Sequence, residues 1–502
     1  MKFRKELAVV ILGSLLFTFF FYEKNIGLNL LLFNTFVIGA LFFLKKLQLK
    51  SSLELVLLFG TAITAILLVF YNSALAIVVN FISLFLLTGV LLLPKIRNLI
   101  YASALAIINT VMAQGSFYSI LQEMSKNKKG LRLALRYLKI IALPLIIVFI
   151  FLLIYKASNP FFGEYVDLFM DKIDEWLTAL FRHVNVPLLM SWILGLIISN
   201  FLFLGKAEKT ISNFEHAGNM QLLRQRKKHF LSFKTTGLKN EIRVAVVLFS
   251  LLNLLLFVVN LFDIFQVWFN FEWNGNYLKQ FVHEGTYLLI FSIIISLALT
   301  LYYFRGNLNF YHNNKVLKIL AYIWLFQNAI LTISVGIRNF WYIEYFALAY
   351  KRIGVIFFLI FTLISIYLVY KKIKDKKSTY FLFSKNALTF YVLLVIMSLF
   401  NWDTIIAQYN FKHYKTAFVH LDFLSELSNK TLPYLDKTDK QLKDISKEQK
   451  QLFHFEEQFL STTEYQKIIA DRKIYFKKNW ENKNWLEWNL AEQQAYDVLC
   501  KE

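Results

Sequence analysis

One cysteine stands in 502 residues: Cys500, two places from the end. A lone thiol excludes internal disulfides and any metal centre with two or more thiolates. Proline is nearly as scarce, five in all. Pro144 falls in the first half of one apolar run, and Pro187 opens another, where a first-turn proline breaks nothing. A carrier built on broken helices would hold more helix breakers than this. Acids number 33 against 55 Lys and Arg, a formal net charge of +22. The eight histidines are scattered, so no metal ligands are expected. GxxxxGK[ST], HExxH, GxSxG and the dinucleotide glycine pattern are all absent. HEGTY at 283–287 has the first two letters of a zinc helix but no second histidine. No catalytic residue and no cofactor follow from the sequence, and an enzymatic role is left open but disfavoured.

What the chain has in excess is apolar sequence. Hydrophobic residues make up 57% and the mean hydropathy is +0.49, whereas a soluble domain has about 45–50% apolar residues. Eleven runs approach the roughly 20 residues of a membrane span: 6–22, 26–44, 54–71, 74–93, 139–156, 186–204, 244–267, 285–304, 317–336, 353–370 and 387–406. None shows the alternation of a barrel strand, so helices are expected. The first run follows Lys2, Arg4 and Lys5 and resembles a signal peptide. No small-residue cleavage site follows it, so it reads as a retained helix.

Basic loops set orientation. The N-terminus, Lys45–Lys50, Lys95 and Arg97, the 126–139 stretch, the 206–243 loop and the lysines of 371–377 all fall on one side if eleven runs cross. The 206–243 loop holds nine Lys/Arg against three acids, while 157–185 carries five acids against two bases. This predicts a cytoplasmic N-terminus, an external C-terminus and location in a bacterial inner membrane. Anionic headgroups on the cytoplasmic side are the expected partner of the positive charge, and nucleic acid is not. Residues 99–121 are apolar but flanked by basic clusters at both ends. With Asn109, Gln114, Ser116 and Ser119, they read as a cytoplasmic amphipathic or re-entrant segment.

After residue 410 the composition changes. The last 92 residues hold 15 acids and 15 bases. LDFLSELSNKTLPYLDK reads as an amphipathic helix ended near Pro433, and FHFEEQFL and WLEWNLAEQQAYDVL show helical spacing. A small helical domain follows, with Trp480, Trp485 and Trp488 as its expected core. The fold expected is therefore an all-α integral membrane protein, a polytopic bundle of about eleven spans with a small C-terminal helical domain. Its parts are a four-span segment (1–98), the cytoplasmic segment (99–138), a seven-span core (139–410) and an extracytoplasmic helical domain (411–502) that could bind an envelope protein.

The chemistry, if any, lies in intramembrane polar residues. Asn253, Asn260 and Asp263 are seven and three residues apart, on one helix face, with Gln266 close behind. Such residues face the bundle interior and often mark a pathway, but they also make ordinary interhelical hydrogen bonds. RNFWYIEYFALAYKRIGV (338–355) holds Arg338, Glu344 and Arg352. NWDTIIAQYN (401–410) holds Asp403, Gln408 and Asn410. Arg352 stands against the positive-inside trend, so a carboxylate partner is expected, Asp263 or Glu344. Three clusters at one end of the bundle could build a polar pocket, or an ion-pair network that ties helices together.

NLFDIFQVWF, EYFALAYKRIGVIFFL and NWDTIIAQYN, in this order, resemble a bacterial multi-pass membrane family catalogued as domain of unknown function, family 4173. YKASNPFF (155–162), LKNE (238–241), LDFLSEL (421–427) and WLEWNLAEQQAY (485–496) strengthen the resemblance, which runs from about residue 140 to the end. It implies that the three polar clusters belong together and carries no activity with it. The reading is an integral inner-membrane protein of unknown biochemical function, a sensory, assembly or scaffold component of the envelope. The alternatives are a small-molecule or ion transporter with a polar pocket at its outer face, and an envelope enzyme acting on a lipid-linked substrate.

Overall fold

The computed structural model describes residues 2–93, 95–124, 151–180, 185–224, 238–269, 275–453 and 460–501, with Pro144, Ile147, Val148 and Phe271 besides. It is all-α: the described residues hold helices and one isolated bridge, Gln221 to Lys377. Among the described residues, eight helices are long and apolar enough to cross a membrane. Seven coincide with runs expected from the sequence; the eighth is Leu99–Met124. Half of the expected 139–156 run lies outside the described residues, as does most of FHFEEQFL. Helices Leu28–Phe43 and, within a longer helix, Tyr287–Tyr303 are apolar but shorter.

The helices reveal their solvent by what they expose. In α9 (Leu238–Asp263), Ala245, Phe249, Asn253, Leu256, Asn260 and Asp263 recur at steps of three and four and are buried, while Leu251, Leu254, Leu255 and Phe262 are each more than 60% exposed. An apolar band of that extent is not tolerated in water. In a bilayer it is the lipid face, and only the inward stripe needs to be polar.

The chain divides into two compact units. In the first, α1 (Lys2–Phe21) and α7 (Val186–Phe203) lie antiparallel. Tyr22 Oη donates to Asn185 Oδ1 at 3.2 Å at one end, and a Cβ on Gly13 would meet Ser199 and Phe203 further along. Gly195 closes the seam, its Cα facing the Ser14 carbonyl. Lys46 donates to the Phe203 carbonyl and pairs with Glu6 at 3.5 Å.

Helix α5 (Leu99–Met124) belongs largely to this unit and covers the 99–121 segment. It is one unbroken helix. Asn109 Nδ2 donates to Phe201 O at 2.9 Å, Gln114 Nε2 donates to Ile197 O at 3.1 Å, and Asn200 Nδ2 donates to Gln114 Oε1 at 2.8 Å. Rising numbers on α5 meet falling numbers on α7, so these two also run antiparallel. Asn109 and Gln114 are spent on α7, while Ser116 and Ser119 donate to carbonyls of α5 itself, Met112 O at 3.1 Å and Gly115 O at 2.8 Å.

The second unit holds α9, α10 (Gly275–Tyr303), α11 (Lys315–Phe346), α12 (Tyr350–Lys374), α13 (Thr379–Ser398) and α14 (Trp402–Lys412). The last expected run, 387–406, breaks at 399–401, so Asp403 begins a separate helix, where its charge suits the N-terminal dipole. Helices α9 and α11 are parallel: Asn253 donates to Leu320 O at 3.0 Å, Asn260 to Gln327 O at 3.1 Å, and Trp341 to Val267 O at 2.9 Å. Helix α10 supplies the return.

In the 411–502 region two expectations change. LDFLSELSNKTLPYLDK is not one helix: Leu421–Ser425 is followed by a 3-10 turn, and Pro433 sits in the first turn of Leu432–Leu435 rather than at a helix end. The Arg472 guanidinium takes the carbonyls freed by the break, including Leu427 O at 2.5 Å. Trp485 is 61% exposed and Trp480 and Trp488 are half-buried. The core is Leu424, Leu432, Leu435, Leu442, Tyr465, Ile469 and Phe476, continuous with Ile353, Ile406 and Phe411. Trp485 opens a 3-10 turn in which Leu486 points inward instead.

Candidate functional site

The polar residues of α9 pair with α11. Asn253 Nδ2 also donates to its own Phe249 O at 2.7 Å, and Asn253 Oδ1 accepts from Gln327 Nε2 at 2.9 Å. Asp263 ends α9, is 8% exposed, and its Oδ1 accepts from Arg338 Nη2 at 2.5 Å. The chain then makes a π-helical turn, Ile264–Phe269, held by Trp268 Nε1 donating to Ser334 Oγ at 2.9 Å. Gln266, on this turn, is exposed. Among the described residues, three buried oxygens in this column have no hydrogen-bond donor: Asn260 Oδ1, Gln327 Oε1 and Asp263 Oδ2.

Arg352 does not meet Asp263 or Glu344. Its Nη1 donates to Phe346 O at 2.6 Å and to Ala347 O, and its guanidinium lies 4.3 Å from the Tyr342 ring centroid. It thereby caps the joint between α11 and α12. Ala347 there has φ 62°, a left-handed conformation that costs a residue with a Cβ about 1–3 kcal/mol. Asn410 holds the next residue through both its amide atoms, Oδ1 accepting from Leu348 N at 2.8 Å and Nδ2 donating to Leu348 O at 3.0 Å. Asn339, beside Arg338, donates to Arg352 O at 3.1 Å.

Asp403 forms the third group. Its Oδ2 accepts from Ser428 Oγ at 2.5 Å and pairs with Lys430 Nζ at 2.8 Å, and its Oδ1 accepts from Tyr350 Oη. Burial alone would raise this carboxyl. The Lys430 ammonium and the Ser428 and Tyr350 hydroxyls prevail and hold it below the usual carboxylate range. Lys430 also donates to Tyr71 O at 2.9 Å. Glu344 is half-buried; burial and then its carboxylate push the Tyr409 phenol up. Gln408 is exposed.

Seven of the ten candidate residues thus form successive fastenings, while Gln266 and Gln408 are exposed and Glu344 is half-buried. Asp263–Arg338, Asn339–Arg352 and Tyr350–Asp403–Lys430 follow each other along α11 and α12, and Asp263 and Asp403 share no partner. Another knot escaped the sequence reading. Buried Glu215, on α8 (Lys209–Ala217), accepts through Oε1 from Arg97 N at 3.0 Å, Arg97 Nε at 3.2 Å and Tyr380 Oη at 2.5 Å. Nothing in KTISNFEHA marks Glu215 as more than one face of a short amphipathic helix. Among the described residues no three His, Cys, Asp or Glu gather as a metal site would need.

Apolar helices of span length, joined through buried polar pairs, define an α-helical membrane protein. The family model described as Domain of unknown function (DUF4153) matches residues 7–438. The chain belongs to that family. Its number is 4153, not 4173; the expectation of a membrane family without an assigned activity stands. The match takes in the N-terminal helices, from residue 7, and stops short of 485–496. No curated protein and no solved structure matches the chain.

Proposed function

We propose that this protein is a scaffold or assembly component of the bacterial inner membrane whose buried polar residues fasten helices together. The observation that carries the reading is that the candidate charges are already engaged inside the protein: Asp263 by Arg338, Asp403 by Lys430, Arg352 by two carbonyls and a tyrosine face. A catalytic carboxylate needs a free approach to substrate; these are oriented toward neighbouring helices.

The topology in this reading has about eleven spans, a cytoplasmic N-terminus and residues 411–502 outside as a helical domain that could meet an envelope partner. The spans are α1, α2 (Leu28–Phe43), α3 (Ser52–Phe70), α4 (Ala74–Leu92), α5, α7 and α9 to α13, with α5 in place of 139–156. Two observations support it. Helix α5 runs antiparallel to α7 over its polar contacts. Helix α3 (Ser52–Phe70) leads from the basic 45–50 loop to Tyr71, whose carbonyl receives Lys430.

Transport is the second reading, favoured by the three unpartnered oxygens of Asn260, Asp263 and Gln327. Buried acceptors of this kind cost about 1–3 kcal/mol each unless water or another donor meets them. The test is a double-mutant cycle scored by thermal stability and by complementation of a deletion strain. Removing one member of a buried pair is expected to cost about 3–5 kcal/mol, so Asp263→Leu and Arg338→Met each lower the midpoint. A fastening is restored in the double variant, stability and complementation together. A double variant that folds but fails to complement would favour transport.

A further inference from the structure

We propose that the seam between α10 and α12 binds one anionic phospholipid, an acyl chain lying in an apolar groove and the phosphate meeting Arg305, Lys318 and Lys376. The groove has a volume of about 170 Å³, with Ile290, Ile294 and Leu297 on one wall and Phe358, Phe361 and Ser365 on the other. Its two hydroxyls do not make it polar. Thr362 donates to Phe358 O at 2.9 Å, and Ser365 Oγ lies 2.8 Å from Phe361 O and 2.9 Å from Asn386 Oδ1. Both walls belong to apolar helices, where lipid tails are the surrounding solvent.

The two walls lead to the same place. Seven residues beyond Leu297 is Phe304, and seven beyond Ser365 is Lys372; each continues its stripe about 10 Å further along the axis. There the stripes meet, Lys372 Nζ donating to Phe304 O at 2.9 Å. Lys372 is 1% exposed, and this carbonyl is its recorded hydrogen-bond partner. Lys372 thus joins the two walls at Phe304, beside Arg305 in the chain, and Arg305 and Lys376 are exposed.

The neighbouring charges have the same sign. Arg305 donates to Tyr302 O at 3.1 Å and lies over the Tyr302 ring. Lys376 lies 5.3 Å from the Phe310 ring centroid and within electrostatic reach of Lys318. Arg305, Lys318 and Lys376 form no ion pair among the described residues. Asp375, the acid next to Lys376 in the chain, is exposed. Any phospholipid could supply the chain; three cations outside any ion pair select an anionic headgroup. The inference rests on the membrane reading of the fold and not on the scaffold reading.

The test is native mass spectrometry of the full chain in a neutral detergent, with three probes: dioleoylphosphatidylglycerol, dioleoylphosphatidylcholine, and glycerophosphoglycerol, which lacks acyl chains. One phosphatidylglycerol is expected to be retained through detergent removal, phosphatidylcholine to bind more weakly, and the deacylated compound not to bind. Arg305→Gln and Lys376→Gln should each weaken phosphatidylglycerol about fivefold, the worth of one basic residue near an anionic lipid, and leave phosphatidylcholine unchanged. Ile294→Trp, at an exposed position that fills the groove, should displace both lipids. Equal retention of the two lipids would overturn the charge selection. Binding unaffected by Ile294→Trp would remove the groove from the site, and binding of the deacylated probe as tight as the lipid would make it a site for free phosphate.

Discussion

Asp403 gives folding a pH dependence whose sign follows from its partners. Its carboxyl titrates below the usual range in the folded chain because Lys430, Ser428 and Tyr350 favour the anion. A depressed pKa means stability that is present above the unfolded value, about 3.9, and lost as pH falls through the folded value. The unfolding midpoint of the wild type should therefore drop on acidification below about pH 4 more steeply than that of Asp403→Asn. At neutral pH that variant should be about 3 kcal/mol less stable, since it strands Lys430, whose side chain is 2% exposed. An equal pH response in both proteins would show that Asp403 does not carry the effect. At this scale the sequence was half legible. Charge against the apolar background singled out Asp263, Arg352 and Asp403, but not their partners. Arg338 lies 75 positions from Asp263, and such a pairing exists only once two helices are in register. Glu215 gave no signal at all, because its partners come from 118 and 165 positions away.

At the scale of elements, apolar runs of span length are legible because every backbone polar group in lipid must be satisfied within its own helix. The exception is instructive. Asn109 and Gln114 told against α5 as a span, since an amide facing lipid is costly. They face α7 instead, and what a helix faces is not written in its own sequence. Close packing of α5 gives a second prediction. A Cβ on Gly89, in α4 (Ala74–Leu92), would lie 2.0 Å from the Ala102 carbonyl oxygen, a backbone atom that cannot move aside cheaply. Gly89→Val is expected to cost about 2–3 kcal/mol through overpacking. Gly39→Ala, where nothing lies within 4 Å, should leave the unfolding midpoint almost unchanged. If both variants melt like the wild type, α4 and α5 do not cross as closely as described. The broken 421–435 stretch is a similar case: its apolar spacing suits a helix, but Arg472, from a later helix, takes its carbonyls.

For the whole molecule the decisive question is which side of the membrane holds residues 411–502. Lys440 is exposed. In a Cys500→Ser background, Lys440→Cys should react with an impermeant thiol reagent in intact spheroplasts. Reaction only after the cells are opened would place this region inside and overturn the topology of eleven spans. The amino-acid sequence by itself determined that this protein is helical and belongs in a membrane, because hydropathy over about 20 residues is a local property that needs no partner. It also marked which polar residues had to be accounted for. Only the tertiary structure decided that Asp263 belongs to Arg338, that Arg352 caps a strained joint rather than a carboxylate, and that α5 lies along α7. Each of those is a choice among distant partners, and burial out of water is what makes the choice matter: an unpaired polar group inside the bundle is expensive, and only the packed fold supplies its mate.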